Sequence, residues 1–307
     1  FLQPGDIILE KSGGSDKQPV GRVVFYDGEP NKFLFNNFTG VLRVRDKSIW
    51  YPRYVFYALY SNYAKGGTRR YENKTTGLHN LKTDQYVQEF TIQEQPMEYQ
   101  QEVVAKLEKV SELIALRKEQ LAKLDQLVKS RFIELFGDPV QNPMEWETVL
   151  LKSATRKIGS GATPKGGKES YQTEGITLIR SMNVHDGRFE YKDLAHITDE
   201  QAKQLENVTV EENDVFINIT GASVARSCIV PKHILPARVN QHVAIIRCIT
   251  SMLNPVFANQ MFLNTSFKGQ LLDIGESGGT TRQAITKQQL ETLMVILPPL
   301  ELLQPEY

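Results

Sequence analysis

Residues 98–136 contain neither glycine nor proline, and nothing else in the sequence restricts the fold so tightly. The segment is rich in Glu, Lys, Gln, Leu and Ala, whose side chains lose little freedom in a helix. Pro96 stands near the start, where proline is tolerated. Gly137-Asp138-Pro139 closes it, the glycine ending the helix and the proline preventing its resumption. Apolar residues recur in steps of four and three at Val103, Leu107, Val110, Ile114, Leu121, Leu124, Val128 and Leu135. This is the heptad spacing of a coiled-coil seam, with Arg117 and Arg131 in the two interrupted steps. At 1.5 Å per residue such a helix spans roughly 58 Å, more than a small domain, so it should act as a spacer. Its outer face carries Lys106, Glu108, Lys109, Glu112, Lys118, Glu119, Lys123 and Lys129, which argues against a core helix. A helix with one apolar stripe needs a partner, either a second helix or another subunit. The two seam arginines would then select that partner or its register.

The rest of the 307 residues is of ordinary globular make-up, 40% hydrophobic, which excludes a disordered or collagenous chain. The length fits about two domains. Two cysteines, Cys228 and Cys248, in so long a chain point to a reducing, cytoplasmic setting without disulfides. No apolar run approaches the roughly 20 residues of a membrane span. Phe1-Leu2-Gln3-Pro4-Gly5-Asp6 shows no targeting signal and reads like the middle of a domain. The 36 basic and 36 acidic residues balance, which at first speaks against a nucleic-acid partner. The balance is not local. Residues 1–95 hold 13 basic and 10 acidic side chains, 152–192 hold 8 and 4, and 193–214 hold 1 and 7. Patches, not totals, steer charged ligands.

The flanks of the long segment repeat each other, at an offset of 208 and then 204. Leu2-Gln3-Pro4-Gly5-Asp6-Ile7-Ile8-Leu9 matches Val210-Glu211-Glu212-Asn213-Asp214-Val215-Phe216-Ile217. Asn36-Asn37-Phe38-Thr39 matches Asn240-Gln241-His242-Val243. Helix-like stretches follow at 52–63 and 255–267. Thr75-Thr76-Gly77-Leu78-His79-Asn80-Leu81 then matches Thr280-Thr281-Arg282-Gln283-Ala284-Ile285. The second copy has an additional front piece, about 146–208. The expected organisation is a first domain over 1–95 with its front part missing, the spacer helix over 96–136, a second domain over 137–300, and the start of a second helix at 301–307. The expected fold class is α+β, with two repeated α/β domains separated by a long coiled-coil-type helix.

These motifs carry a family resemblance. Ser160-Gly161-Ala162-Thr163-Pro164, Gly175-Ile176-Thr177-Leu178-Ile179-Arg180, Asn213-Asp214-Val215 and Asn218-Ile219-Thr220-Gly221-Ala222-Ser223 belong to it. So do Asn240-Gln241-His242-Val243-Ala244 and Gly278-Gly279-Thr280-Thr281-Arg282-Gln283-Ala284-Ile285, followed by Leu297-Pro298-Pro299-Leu300. In this order, with the helix ending at Phe136-Gly137-Asp138-Pro139, the chain resembles the specificity subunit of type I restriction–modification systems. The resemblance covers essentially the whole chain. It departs in the first copy, which lacks the front piece and has Gly77-Leu78-His79-Asn80 where the second has Arg282-Gln283-Ala284-Ile285. The resemblance implies two target-recognition domains reading a bipartite, asymmetric double-stranded DNA sequence. It implies helices that dock two methylation subunits, and restriction subunits that complete the complex. It also implies no catalysis and no cofactor in this chain, S-adenosylmethionine being held by the methylation subunit. Two other readings stay open: a coiled-coil adaptor whose globular ends bind proteins, and the recognition region of a fused restriction–methylation enzyme.

Read from the residues themselves, two divergent copies across a rod suit two half-sites at a fixed separation. Base edges are read by Arg, Asn, Gln, Ser and Thr, and phosphates by Lys, Arg and backbone amides. The loop 157–168 offers Ser160, Thr163, Lys165 and Lys168 among its glycines. Arg180, Ser181 and Asn183 follow a strand, Gln241 precedes one, and Thr281, Arg282 and Gln283 lie in a glycine-flanked loop. In the first copy Arg69 and Arg70 form a basic tip after Gly66-Gly67, and His79 and Asn80 occupy the slot of Ala284. Each has a plainer reading: a solvated turn for 157–168, pairing of Arg180 with Asp186 or Glu190, and structural hydrogen bonds for Gln241 and His242. Asp6 and Asp214 are expected to cap turns rather than bind metal.

Catalytic readings fail on spacing. Gly161 and Gly166 fit a phosphate-binding loop, but Gly167 stands where lysine is required. Leu297 precedes Pro298-Pro299 where an amino-methyltransferase would use Asn or Asp. His233 near Cys228 falls short of a four-ligand zinc site.

Overall fold

The computed structural model describes residues 1–75, 78–276 and 283–303. The chain forms two compact units, Phe1–Ala122 and Lys123–Tyr307, and the division falls inside the long helix.

The first unit contains β1 (Asp6–Glu10), β2 (Ser12–Gly14), β3 (Val23–Tyr26), β4 (Thr39–Leu42), α1 (Pro52–Ala64), β5 (Glu72–Thr75), β6 (Leu78–Leu81) and α2 (Thr83–Glu89). Its sheet has the antiparallel order β3-β1-β4, and β2, β6 and β5 form a second small sheet. Pro52 opens α1, and Gly66, left-handed at φ 75°, follows its end. Ile7, Leu9 and Val23 bury one face of the sheet against Leu59 of α1, Tyr71 and Tyr86.

The long helix, α3, is continuous from Met97 to Phe136. Near its start Gln100 is fully buried: its Oε1 accepts from the Tyr51 amide at 2.9 Å, and its Nε2 donates to Ile49 O and Gln95 O. Tyr51 precedes α1 and has no side-chain cap, so α3 satisfies one end of α1. At the other end Phe132 and Phe136 pack on Phe257, and the Trp146 indole donates to Phe136 O. Gly137 stops the helix at φ 74°; a Cβ there would stand 2.8 Å from Pro143. Between these anchors the seam is open. Leu107, Val110, Ile114, Leu121, Leu124 and Val128 are exposed, and so are Leu113, Leu116 and Leu127. Arg117 and Arg131 are held by their own helix, through Gln120 and Glu134.

The second unit continues with β7 (Glu147–Leu150), β8 (Thr155–Ser160), β9 (Ile176–Ile179), β10 (Val184–His185), β11 (Arg188–Phe189), β12 (Ala195–Ile197) and α4 (Asp199–Gln204). Then follow β13 (Val215–Asn218), β14 (Ser227–Ile229), β15 (Ala237–Val239), β16 (Val243–Cys248), α5 (Pro255–Leu263), α6 (Thr265–Glu276), α7 (Lys287–Glu291) and β17 (Met294–Leu297). The central sheet has the order β14-β13-β16-β8. One face carries Val215, Ile217, Ala244 and Ile246 into a core with α5, α6, Phe132 and Phe136. The other face, with Phe216, Cys228 and Ile245, is covered by the front piece through Leu178, Val184, Phe189 and Ile197. Residues buried on both faces explain why β13 and β16 read as continuous apolar runs. Leu300–Leu303 form a short turn where a second helix is expected to begin, and the rest of that expected helix, 304–307, lies outside the described residues.

The repeat holds residue for residue. In the first unit Ile7 pairs with Phe25 and Leu42; in the second Val215 pairs with Ile229 and Ile246. These are the same pairs at the offsets read from sequence. The Ser12–Asn80 pair likewise recurs as Thr220–Ala284. Asp6 and Asp214, both buried, accept from the amides of Gln3 and Glu211 at 2.7 Å, so both cap turns as expected. Each also takes a two-pronged arginine, Arg43 on Asp6 at 2.6 and 2.7 Å and Arg247 on Asp214 at 2.8 Å twice. One difference separates the copies. Val24 is 57% exposed and Ile8 and Val41 are half-buried, whereas their counterparts Cys228, Phe216 and Ile245 lie inside the core. The first unit's β4 is also a sheet edge, where in the second unit β8 pairs with the corresponding β16.

The Arg43 guanidinium, by hydrogen bonding, holds the Asp6 carboxyl below the usual carboxylate range. Its folded value lies below its unfolded one, so the pair contributes fully above the ordinary value and is lost as pH falls through the lowered one. Arg43→Ala is therefore expected to move acid unfolding of the first unit to higher pH, followed by fluorescence. Arg247→Ala strands a buried carboxylate and is expected to cost about 3 kcal/mol. Hydrogen exchange in Val215–Asn218 under denaturant checks it; unchanged protection would show that the pair is dispensable.

Candidate nucleic-acid interface

The sheet of the second unit gathers four loops at one end. There β8 finishes at Ser160, β13 finishes at Asn218, and β16 begins at Val243. A Cβ at position 161 would stand 1.7 Å from Val239 O, so only glycine lets the chain leave β8 here. Gly161 donates its amide to Asn240 O at 3.1 Å. Thr163 donates its hydroxyl to Gln241 Oε1, which ties the first loop to the turn before β16. That turn is held by Asn240, whose Oδ1 accepts from the His242 amide. His242 Nδ1 meets the Thr220 hydroxyl at 2.5 Å, and the Gly221 amide donates to Gln283 O. The buried Asn218 amide donates to Ser181 O at 2.9 Å and pins the turn after β9 beside them. Hydrogen bonds thus tie the segments 160–168, 180–183, 219–226 and 240–242 together at this end of the sheet.

The candidate side chains divide by what the fold does with them. Lys165, Lys168, Thr163 and Gln241 are exposed, and Ser160 and Ser181 are half-exposed. Two left-handed glycines, Gly166 at φ 92° and Gly167 at φ 56°, turn the loop so that both lysines face water. Arg180 pairs with neither Asp186 nor Glu190: it donates to Asp193 O and lies over the Tyr171 ring at 5.3 Å. Asp186 takes Lys268 instead, and Glu190 takes Arg188. Asn183 is withdrawn into the fold. It is fully buried, its Oδ1 accepts from the Arg180 amide, and its Nδ2 donates to Glu190 O. It closes the turn and is not free to read a base. Gln283 is partly engaged by Glu276 at 2.7 Å. Thr281 and Arg282 lie outside the described residues.

In the first unit Arg69 and Arg70 are exposed. Arg69 donates to Asp16 O, and Arg70 lies over Tyr71 at 4.7 Å. His79 is buried, with Nδ1 3.0 Å from Glu72 and Nε2 3.6 Å from Asp16. Like Asn183, it is structural and is removed as a base-reading tip. Asn80 is half-buried and sits opposite Ser12 and Asn73 in the small sheet.

The structure adds residues that sequence reading passed over. Thr220, Ser223 and Arg226 follow β13 at the same end of the sheet, and the Arg226 guanidinium makes no hydrogen bond or ion pair among the described residues. The signal was present, since the glycine-bearing turn 220–223 is one of the repeated motifs. Neither cysteine suits nucleophilic chemistry, because burial pushes both thiols up to about 12. Among the described residues, no three His, Cys, Asp or Glu side chains are grouped to hold a metal. Among them also, no helix is long and apolar enough to cross a membrane.

No family model matches the chain. Over 198 residues, 61% of the chain, it is 30% identical to the type I restriction enzyme EcoAI specificity subunit of Escherichia coli, covering 32% of that protein. Over an alignment of 322 positions, 97% of the chain, it is 23% identical to a protein described as the type I restriction enzyme MjaX specificity subunit of Methanocaldococcus jannaschii, covering 68% of it. The chain therefore spans about a third of the first relative's length and about two thirds of the second's. Two solved structures share the fold. One, from work on complex assembly and conformational transition of the type I R-M system, aligns over 98% of this chain and 71% of its own with a TM-score of 0.55 at 20% identity. The other, the type I restriction–modification S subunit from M. genitalium, aligns over 96% and 72% with a TM-score of 0.55 at 13% identity. The chain is thus similar in sequence to type I restriction enzyme specificity subunits, and it shares the fold of the solved type I structures.

Proposed function

We propose that the chain reads double-stranded DNA for a type I restriction–modification complex, as a non-catalytic subunit whose two units address the halves of a bipartite, asymmetric target. The observation that carries this reading is the repeat, kept in strand register and in its Asp–Arg pair while the loop residues diverge. A constant scaffold with variable tips suits two half-sites of different sequence. In the second unit the exposed Thr163 and Gln241 and the half-exposed Ser181 and Thr220 have base-reading chemistry. Lys165, Lys168 and Arg226 have phosphate- or guanine-binding chemistry. The uncovered Ile8–Val24–Val41 face and the β4 edge are completed in the first unit by a front segment of the kind that residues 146–208 supply in the second. The exposed seam of α3 receives a second helix, and this rod docks two methylation subunits, with restriction subunits joining them. S-adenosylmethionine chemistry belongs to the methylation partner, which extrudes the target base.

Duplex binding by the chain assembled with methylation subunits is expected to weaken steeply with salt, with log affinity linear in log salt. No binding at any salt would overturn the reading. Arg226→Ala is expected to weaken target binding about tenfold and to relax specificity within one half-site, measured by competition with single-base variants. Equal loss on every sequence would make Arg226 a phosphate contact. Insertion of four residues after Leu121 is expected to change the preferred spacer while both half-sites are kept, read by methylome sequencing. An unchanged spacer would show that α3 is not the ruler.

A further inference from the structure

Below the readout loops, the outer side of β8 carries a second charged feature. This strand ends the sheet, so its far side has no strand partner. A groove runs along that side from Lys152 to Ser160, walled opposite by Asn207, Val208 and α7. Lys152, Arg156, Lys157 and Lys287 line it, and Glu291 is the only carboxylate among its described lining residues. Glu291 faces Lys287 at 3.5 Å, and Lys152 has no acidic partner among the described residues. Arg156 is only loosely neutralised, 3.7 Å from Glu211 with both side chains largely in water. Lys157 donates to a neutral carbonyl, Asn207 O, which positions its charge without cancelling it. At Gly159 a Cβ would meet nothing within 4 Å, so the strand backbone is open to close approach.

We propose that this groove holds a DNA sugar-phosphate strand beside the readout loops. The inference rests on the reading of the chain as a DNA-recognition subunit and adds to it a phosphate-tracking site that contributes affinity without sequence preference. Three features support a phosphodiester occupant. The lining is cationic with one paired acid, so an anion is stabilised at several successive points. Lysine and arginine on an edge strand also oppose addition of another protein strand. Finally, the groove ends at Ser160, where the loop with Thr163, Lys165 and Lys168 begins. A backbone lying in it is therefore continuous with bases presented to that loop. The arrangement separates two tasks: the groove fixes register and orientation, and the loops distinguish sequence.

The test uses the chain assembled with methylation subunits and compares wild type with Lys152→Ala/Arg156→Ala/Lys157→Ala/Lys287→Ala. Affinities for a target duplex and for one altered at a single base are measured by anisotropy across a salt series. The variant is expected to lose about tenfold or more on both duplexes, with the target preference unchanged and the log–log salt slope shallower by roughly 2 to 4. The charge-keeping set Lys152→Arg/Lys157→Arg/Lys287→Arg is expected to retain the wild-type slope, which separates lost charge from lost folding. A neutralised variant that binds with wild-type affinity and slope overturns the inference alone. A neutralised variant that keeps the wild-type circular dichroism spectrum but no longer assembles with the methylation subunits assigns the groove to a protein partner and overturns it too. A wild-type complex with no salt-dependent duplex binding overturns the recognition reading and the groove with it.

Discussion

A carboxylate taken almost wholly out of water at the head of a central strand has to be answered by a cation and by backbone donors, or it destabilises the fold. Asp6 and Asp214 are answered in the same way: an amide three residues earlier and a two-pronged arginine on the paired strand, Arg43 just after β4 and Arg247 in β16. This interaction fixes the turn that enters β1 or β13 and the register of the strand carrying the arginine. A slip of one residue would reverse every side chain across the sheet. With the register fixed, the ends of β8, β13 and β16 fall together, and the loops that leave them are free to vary.

The second unit shows what the scaffold supports. Its sheet is covered on both faces, and the loops at one end are stitched by Thr163–Gln241, Thr220–His242 and Asn218–Ser181. These bonds use one polar atom of each tip and leave exposed hydroxyls, amides and cations around them. In the first unit the scaffold is kept but one sheet face and one edge are open. α3 is anchored separately in each unit, by Gln100 in the first and by Phe132 and Phe136 in the second. Its seam between those anchors is exposed leucine and valine, a surface that in water favours a helical partner.

Much of this was legible in the sequence because it depends on local chemistry or on repetition. The glycine- and proline-free segment gave the long helix almost to the residue. The offsets of 208 and 204 anticipated the strand pairing, since equal spacing between equal motifs implies equal register. The turn-capping role of Asp6 and Asp214 followed from residue type. Their arginine partners did not, because Arg43 and Arg247 lie 37 and 33 residues away and only the sheet brings them together. Burial was the other hidden quantity. Asn183 and His79 have base-reading chemistry by type, yet one closes a turn and the other sits between two carboxylates. The β8 groove escaped, with Arg226, because its opposite wall of Asn207, Val208 and Lys287 is distant in sequence. The local excess of basic residues over 152–192 was the trace the groove left, and the repeated turn 220–223 was the trace of Arg226.

The zero net charge therefore describes an average over a basic groove, a neutral rod and an acidic stretch, and it does not oppose DNA binding. On the proposed function, the loops at one end of the stapled sheet meet the duplex. Hydrogen exchange on the assembled complex, with and without its target duplex, tests this most directly. Slowed exchange is expected in 161–168, 219–226 and 240–242, with the exchange of Val215–Asn218 little changed. Protection confined to other surfaces, or none on adding duplex, would contradict it.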